Sequence, residues 1–85
     1  MHEWGITRDL VDEVVRQARQ NMIRRVSRVE VKLGRKSHLT DRALRLCFKA
    51  LTKDELLLAG TRLVVQKTPD HRIIVSKISG EGTGN

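Results

Sequence analysis

The chain opens Met1-His2-Glu3. A histidine in second position can turn back so that its imidazole and nearby main-chain nitrogens meet one cation. The free α-amine and deprotonated amide nitrogens can complete a square plane of nitrogen donors. That donor set suits Ni(II) or Cu(II) and suits zinc, magnesium or calcium poorly. Affinity alone favours Cu(II), so a preference for nickel has to come from metal supply and delivery partners. Methionine removal requires a small second residue, so the large His2 keeps Met1 in place. Glu3 can accept a hydrogen bond from the His2 ring and fix its tautomer, or face a partner. The competing reading is a solvated surface histidine, and three residues alone do not decide between the two.

Other candidates carry less chemistry. His38 and His71 fall in predicted loops with no second ligand in sequence reach, and both read as exposed. Cys47 lies on an apolar helical stripe, the place of a small buried hydrophobe rather than a nucleophile. A single cysteine excludes an intrachain disulfide, and without a Cys-x-x-Cys pair zinc is not expected from this chain. A reducing, cytoplasmic home follows as the expectation. There is no Gly-rich phosphate loop, no Ser/His/Asp set and no carboxylate pair with a reason to be buried, so the chain does not read as an enzyme. Trp4 is expected to pack beside the first helix.

These residues need a scaffold, and 85 residues make one domain. From Ile6 to Met22 the apolar residues Ile6, Leu10, Val11, Val14, Val15, Ala18 and Met22 recur at spacings of three and four, which predicts an amphipathic helix. Across Arg25–Leu33, Val29, Val31 and Leu33 alternate with Arg28, Glu30 and Lys32, the period of a strand with one wet face. Gly34 ends it, and Arg35–Leu39 reads as a loop. Thr40 is the N-cap of a second helix carrying Ala43, Leu44, Cys47, Phe48 and Leu51 to about Lys53, with an extra turn to Ala59 closed by Gly60.

Thr61–Lys67 and Arg72–Ile78 are strands joined around Thr68-Pro69-Asp70-His71, which reads as a hairpin. Pairing Leu63 with Val75 and Val65 with Ile73 puts those four on one face. Val64 and Ile74 then stay outside as a small apolar spot, which a scaffold reading takes as a dimer or partner surface. The expected fold is α+β, a two-layer α/β sandwich in α-β-α-β-β order with two helices on one face of a three-stranded sheet. Residues 1–78 form the domain, and the Gly-rich 79–85 is expected to be a flexible tail.

The longest apolar runs fall far short of the roughly 20 residues that cross a bilayer. The leading end lacks a basic region followed by an apolar one, so no signal peptide is expected. The net charge is +7. Its excess is local, since residues 21–40 hold Arg24, Arg25, Arg28, Lys32, Arg35 and Lys36 against Glu30. A solvated face is the plain account of that patch. The functional alternative is a small basic module binding nucleic acid or an acidic protein. Trp4 and Phe48 are the only aromatics, too few to stack bases.

Met1-His2-Glu3-Trp4-x-Ile6 followed by an amphipathic helix resembles the start of the HypA/HybF family of nickel-insertion proteins for [NiFe] hydrogenase maturation. The likeness continues through Val29-Glu30-Val31-Lys32-Leu33-Gly34, then Leu39-x-x-x-Ala43-Leu44-Arg45-x-x-Phe48-x-x-Leu51-Thr52-Lys53, then Ala59-Gly60-Thr61-x-Leu63, and covers about residues 1–78. It implies a nickel metallochaperone that holds Ni(II) with the N-terminal amine, the His2 imidazole and neighbouring amides, mapped here onto Met1, His2 and Glu3. It also implies a maturation GTPase and the hydrogenase large subunit as partners, with urease maturation in some organisms. Three departures stand out. The family's zinc domain, inserted between the last two strands, is replaced by Thr68–His71. Arg35 follows Gly34 where the family usually has an acidic residue. The chain is basic where the family is often acidic.

Overall fold

The computed structural model describes residues 2–82, with the His2 side chain outside the described set. The elements are α1 (His2–Gln20), β1 (Ile23–Gly34), α2 (Asp41–Leu51), β2 (Arg62–Thr68) and β3 (Ile73–Gly82). Single 3-10 turns cover Arg35–Ser37 and Leu56–Leu58. The two-layer α+β sandwich expected from the sequence is the fold observed.

Helix α1 buries Leu10, Val14 and Ala18, one residue per turn along a single stripe, with Ile6, Val11 and Val15 packed beside them. It starts four residues before the predicted Ile6. Residues 2–5 carry no apolar period, so hydrophobic spacing could not reveal that turn. Met22, counted in the stripe, has left the helix. It takes a φ of 57° and is 63% exposed, and its N–H donates to the Arg19 carbonyl at 3.1 Å. This left-handed residue turns the chain into β1.

Strand β1 is the centre of the sheet, whose order is β2-β1-β3. It runs parallel to β2 and antiparallel to β3. The expected hairpin is therefore not formed: Leu63 does not pair with Val75, nor Val65 with Ile73. Instead Leu63 and Val65 pair with Val29 and Val31, while Val75 and Ile73 pair with Val31 and Leu33. The physical reason is burial. Val26, Val29, Val31 and Leu33 are all at most 2% exposed, and the middle of the sheet is where such a row is covered best. The face assignment survives the change of partner, since Leu63, Val65, Ile73 and Val75 all pack against the core.

Two of the three register shifts between β1 and β3 bear on the core. Val26 and Val29 are three apart yet both buried, because β1 shifts register between Val26 and Arg28. Val75 and Ile78 both meet the core across a second shift, between the Glu30 and Val31 pairs. Strand β3 runs on to Gly82 against the start of β1, so residues 79–82, expected in a flexible tail, belong to the sheet. Residues 83–85 lie outside the described set.

Helix α2 begins as predicted, with the Thr40 hydroxyl oxygen accepting the Ala43 N–H at 3.0 Å. Leu44, Cys47 and Phe48 are buried, and Leu58 follows them into the core from the 3-10 turn. Gly60 takes a φ of 76°, the conformation anticipated where the chain turns towards β2. The Arg45 guanidinium pairs with Asp41 and donates to the Leu63 carbonyl at 2.8 Å, tying α2 to β2.

Candidate metal centre

Of the three residues expected to hold metal, Met1 and the His2 side chain lie outside the described residues. The His2 main chain is the first residue of α1, and Glu3 stands in its first turn. An α-helix leaves its first four N–H groups without intrahelical acceptors. In α1 these include the N–H groups of His2, Glu3 and Trp4. The helix start therefore offers main-chain nitrogens that a strand or a helix interior would have committed to hydrogen bonds. Glu3 is half-buried and its carboxylate complements the positive end of the helix dipole. Trp4 is 46% exposed, so it projects into solvent instead of packing away.

This end is held from just behind. Thr7 is fully buried, Leu10 nearly so, and Ile6 packs on the core. A cavity of about 210 Å³ between α1 and β3 is lined by Ile6, Asp9, Leu10, Glu13, Ile73 and Val75. The helix is thus rooted from Ile6 onward, while Trp4 and Gly5 are exposed. The Thr7 hydroxyl has no hydrogen-bond partner among the described residues, a polar atom that the apolar periodicity gave no reason to place in the core.

The remaining candidates stay apart. His38 is exposed, in a left-handed conformation with a φ of 68°, and His71 is exposed in the β2–β3 connection. Cys47 is a buried free thiol, as its position on the stripe required. Among the described residues, no three of His, Cys, Asp and Glu gather into a metal-holding group. Two carboxylates titrate below their ordinary range. Glu13 does so chiefly because the Arg16 guanidinium hydrogen-bonds to it, with Gln17 adding to the effect. Asp70 does so chiefly because it accepts the Arg72 main-chain N–H. Both are local supports, one on the face of α1 and one in the turn after β2. Of the basic patch, Arg28 and Lys32 lie on the wet side of β1, and Arg35 and Lys36 in the 3-10 turn, all exposed.

The domain is a two-layer sandwich whose N-terminal helix is rooted in the core from Ile6 onward, with Trp4 and Gly5 exposed ahead of that point. The family profile described as "Hydrogenase/urease nickel incorporation, metallochaperone, hypA" matches residues 1–73. The chain belongs to the HypA family. It is 38% identical over 72 residues to the hydrogenase maturation factor HypA of Chlorobium luteolum, covering 85% of this chain and 60% of that protein. The HypA of Geobacter metallireducens is 38% identical over 69 residues, covering 81% and 59%. The chain thus spans about three-fifths of the length of these relatives. The solution structure of the Ni metallochaperone HypA from Helicobacter pylori shares the fold, with a TM-score of 0.72 at 15% identity over 88% of this chain and 70% of that one. Here residues 69–72 alone join β2 to β3, the junction where the family resemblance places a zinc domain.

Proposed function

We propose that this chain carries Ni(II) at its leading end and passes it to the maturation of a nickel enzyme such as [NiFe] hydrogenase, without catalysing a reaction itself. The ligands are the Met1 amine, the His2 imidazole and the main-chain nitrogens of His2 and Glu3. A maturation GTPase and the hydrogenase large subunit are the partners, in the cytoplasm. The observation that carries this reading is the start of α1 at His2, which leaves the required amides outside the helix ladder in a chain of the HypA family. The positive end of the helix dipole opposes a cation, but two deprotonated amides supply the countercharge. Glu3 stands ready to orient the His2 ring.

Calorimetry with NiCl₂ on untagged protein tests it, set against His2→Ala and a variant lengthened by two residues at the N-terminus. The proposed ligand set requires both variants to lose tight binding. If all three proteins take up nickel equally, these ligands are wrong.

A further inference from the structure

We infer that the face of the sheet turned away from the helices is a docking surface for an acidic protein partner. Directly paired residues share a face of a sheet. The outward rows are therefore Arg62, Arg28 and Ser79; then Val64, Glu30 and Lys77; then Gln66, Lys32 and Ile74. Four cations stand there against the single carboxylate of Glu30. Arg28 engages that carboxylate at 3.2 Å, and Lys32, Arg62 and Lys77 take part in no ion pair among the described residues. The charge comes from β1, β2 and β3 together, so the fold gathers cations that are far apart in the sequence.

The chemistry of the face selects a protein rather than a nucleic acid. Ile74 is 38% exposed, and Val64 is half-buried on the same face. Apolar residues set among arginines are the make-up of a protein interface. Neither aromatic lies on this face to stack a base, since Phe48 is buried on α2 and Trp4, though exposed, stands on α1 in the helix layer. Glu30, in the middle row on the central strand, opposes a run of phosphates. It leaves room for a partner surface whose carboxylates meet Arg62, Lys77 and Lys32 around it. Three strands about 4.8 Å apart over some seven residues span roughly 15 by 23 Å, an area of the small, transient class. The inference does not depend on nickel being held at Met1-His2-Glu3.

The test uses metal-free protein at low salt with poly-L-glutamate as the acidic probe and a 20-base-pair DNA duplex as the competitor. Two triple variants of equal net charge are compared: K32Q/R62Q/K77Q on the sheet face and R8Q/K49Q/K53Q on the helix layer. Circular dichroism and melting confirm that both fold. The sheet-face variant is expected to bind poly-L-glutamate at least fivefold more weakly than the helix-layer variant. Amide shifts on adding the probe should fall on Arg28, Lys32, Arg62, Val64 and Ile74. Equal weakening of the two variants, shifts centred on α1 or α2, no binding by the parent chain, or tighter binding of the duplex would each overturn the assignment.

Discussion

Gly34 and Asp70 are in contact where the β2–β3 connection crosses the end of β1. The Gly34 N–H donates to the Arg72 carbonyl at 2.8 Å and the Lys36 N–H to the Asp70 carbonyl at 3.0 Å. A Cβ on Gly34 would overlap the Asp70 carbonyl and crowd the Arg72 nitrogen. Its φ of −67° is open to any residue, so the demand for glycine is purely steric. Gly34→Ala should therefore cost about 1–3 kcal/mol by overpacking. A domain of this size loses about 4–8 °C of melting temperature per kcal/mol, so the change is readable in a thermal scan. An unchanged melting temperature would show that the crossing is loose.

The same connection carries a pH dependence. The Asp70 carboxylate accepts the Arg72 N–H at 3.1 Å and the Thr68 hydroxyl at 3.0 Å, with the Arg72 guanidinium alongside at 3.2 Å. These contacts hold its pKa below the ordinary carboxylate value, so the folded state favours the charged form. The sign follows: the contribution is present above the unfolded pKa of about 3.9 and is lost as pH falls through the lower folded value. Asp70→Asn should lower stability near neutrality and flatten the acid limb of a stability-against-pH curve below about pH 4. Parallel curves for parent and variant would mean that the carboxylate does not brace the turn.

Facial periodicity was legible in the sequence, and neighbour relations were not. The alternation around Leu63, Val65, Ile73 and Val75 named the core side of β2 and β3 correctly. Nothing in a strand's own pattern says which strand lies beside it, and the long buried row of β1 takes the middle place. The Thr40 cap and Gly60 were readable because each is a local backbone requirement. The register shifts between β1 and β3 were hidden because a shift breaks the period by which strands are recognised. At the candidate site, His2 stood out by chemistry and by family resemblance. The helical start that frees its amides showed only in the structure, since residues 2–5 have no apolar stripe to announce a helix.

Thr7 marks a site where stability can be gained. Its side chain is fully buried on α1, and its hydroxyl lacks a partner among the described residues. A buried hydroxyl without a partner carries a desolvation cost of about 1–3 kcal/mol. Valine has nearly the same shape and a similar helix propensity. Thr7→Val should stabilise the domain by about 1 kcal/mol, seen as a higher denaturant midpoint at unchanged m-value. A lower midpoint would mean that the hydroxyl is satisfied and that the packing around α1 needs it.

The nickel reading makes a quantitative demand on pH. Coordination through main-chain nitrogens displaces amide protons that are never released in the free protein at neutral pH. The amine and the imidazole, with ordinary pKa values of about 7.7–8.0 and 6.5, must be stripped as well. Below pH 7 each bound ion therefore releases more than one proton, and apparent affinity should fall more than about tenfold per pH unit. A site made of the His2 imidazole with carboxylates would displace a single proton and fall no faster than about tenfold per unit. Repeating the calorimetry at several pH values in buffers of different ionisation enthalpy counts the protons directly. A count above one in the parent chain, dropping in the N-terminally lengthened variant, assigns the displaced protons to the leading end of α1. A count of one or fewer removes the main-chain nitrogens from the ligand set and leaves His2 as an ordinary side-chain donor.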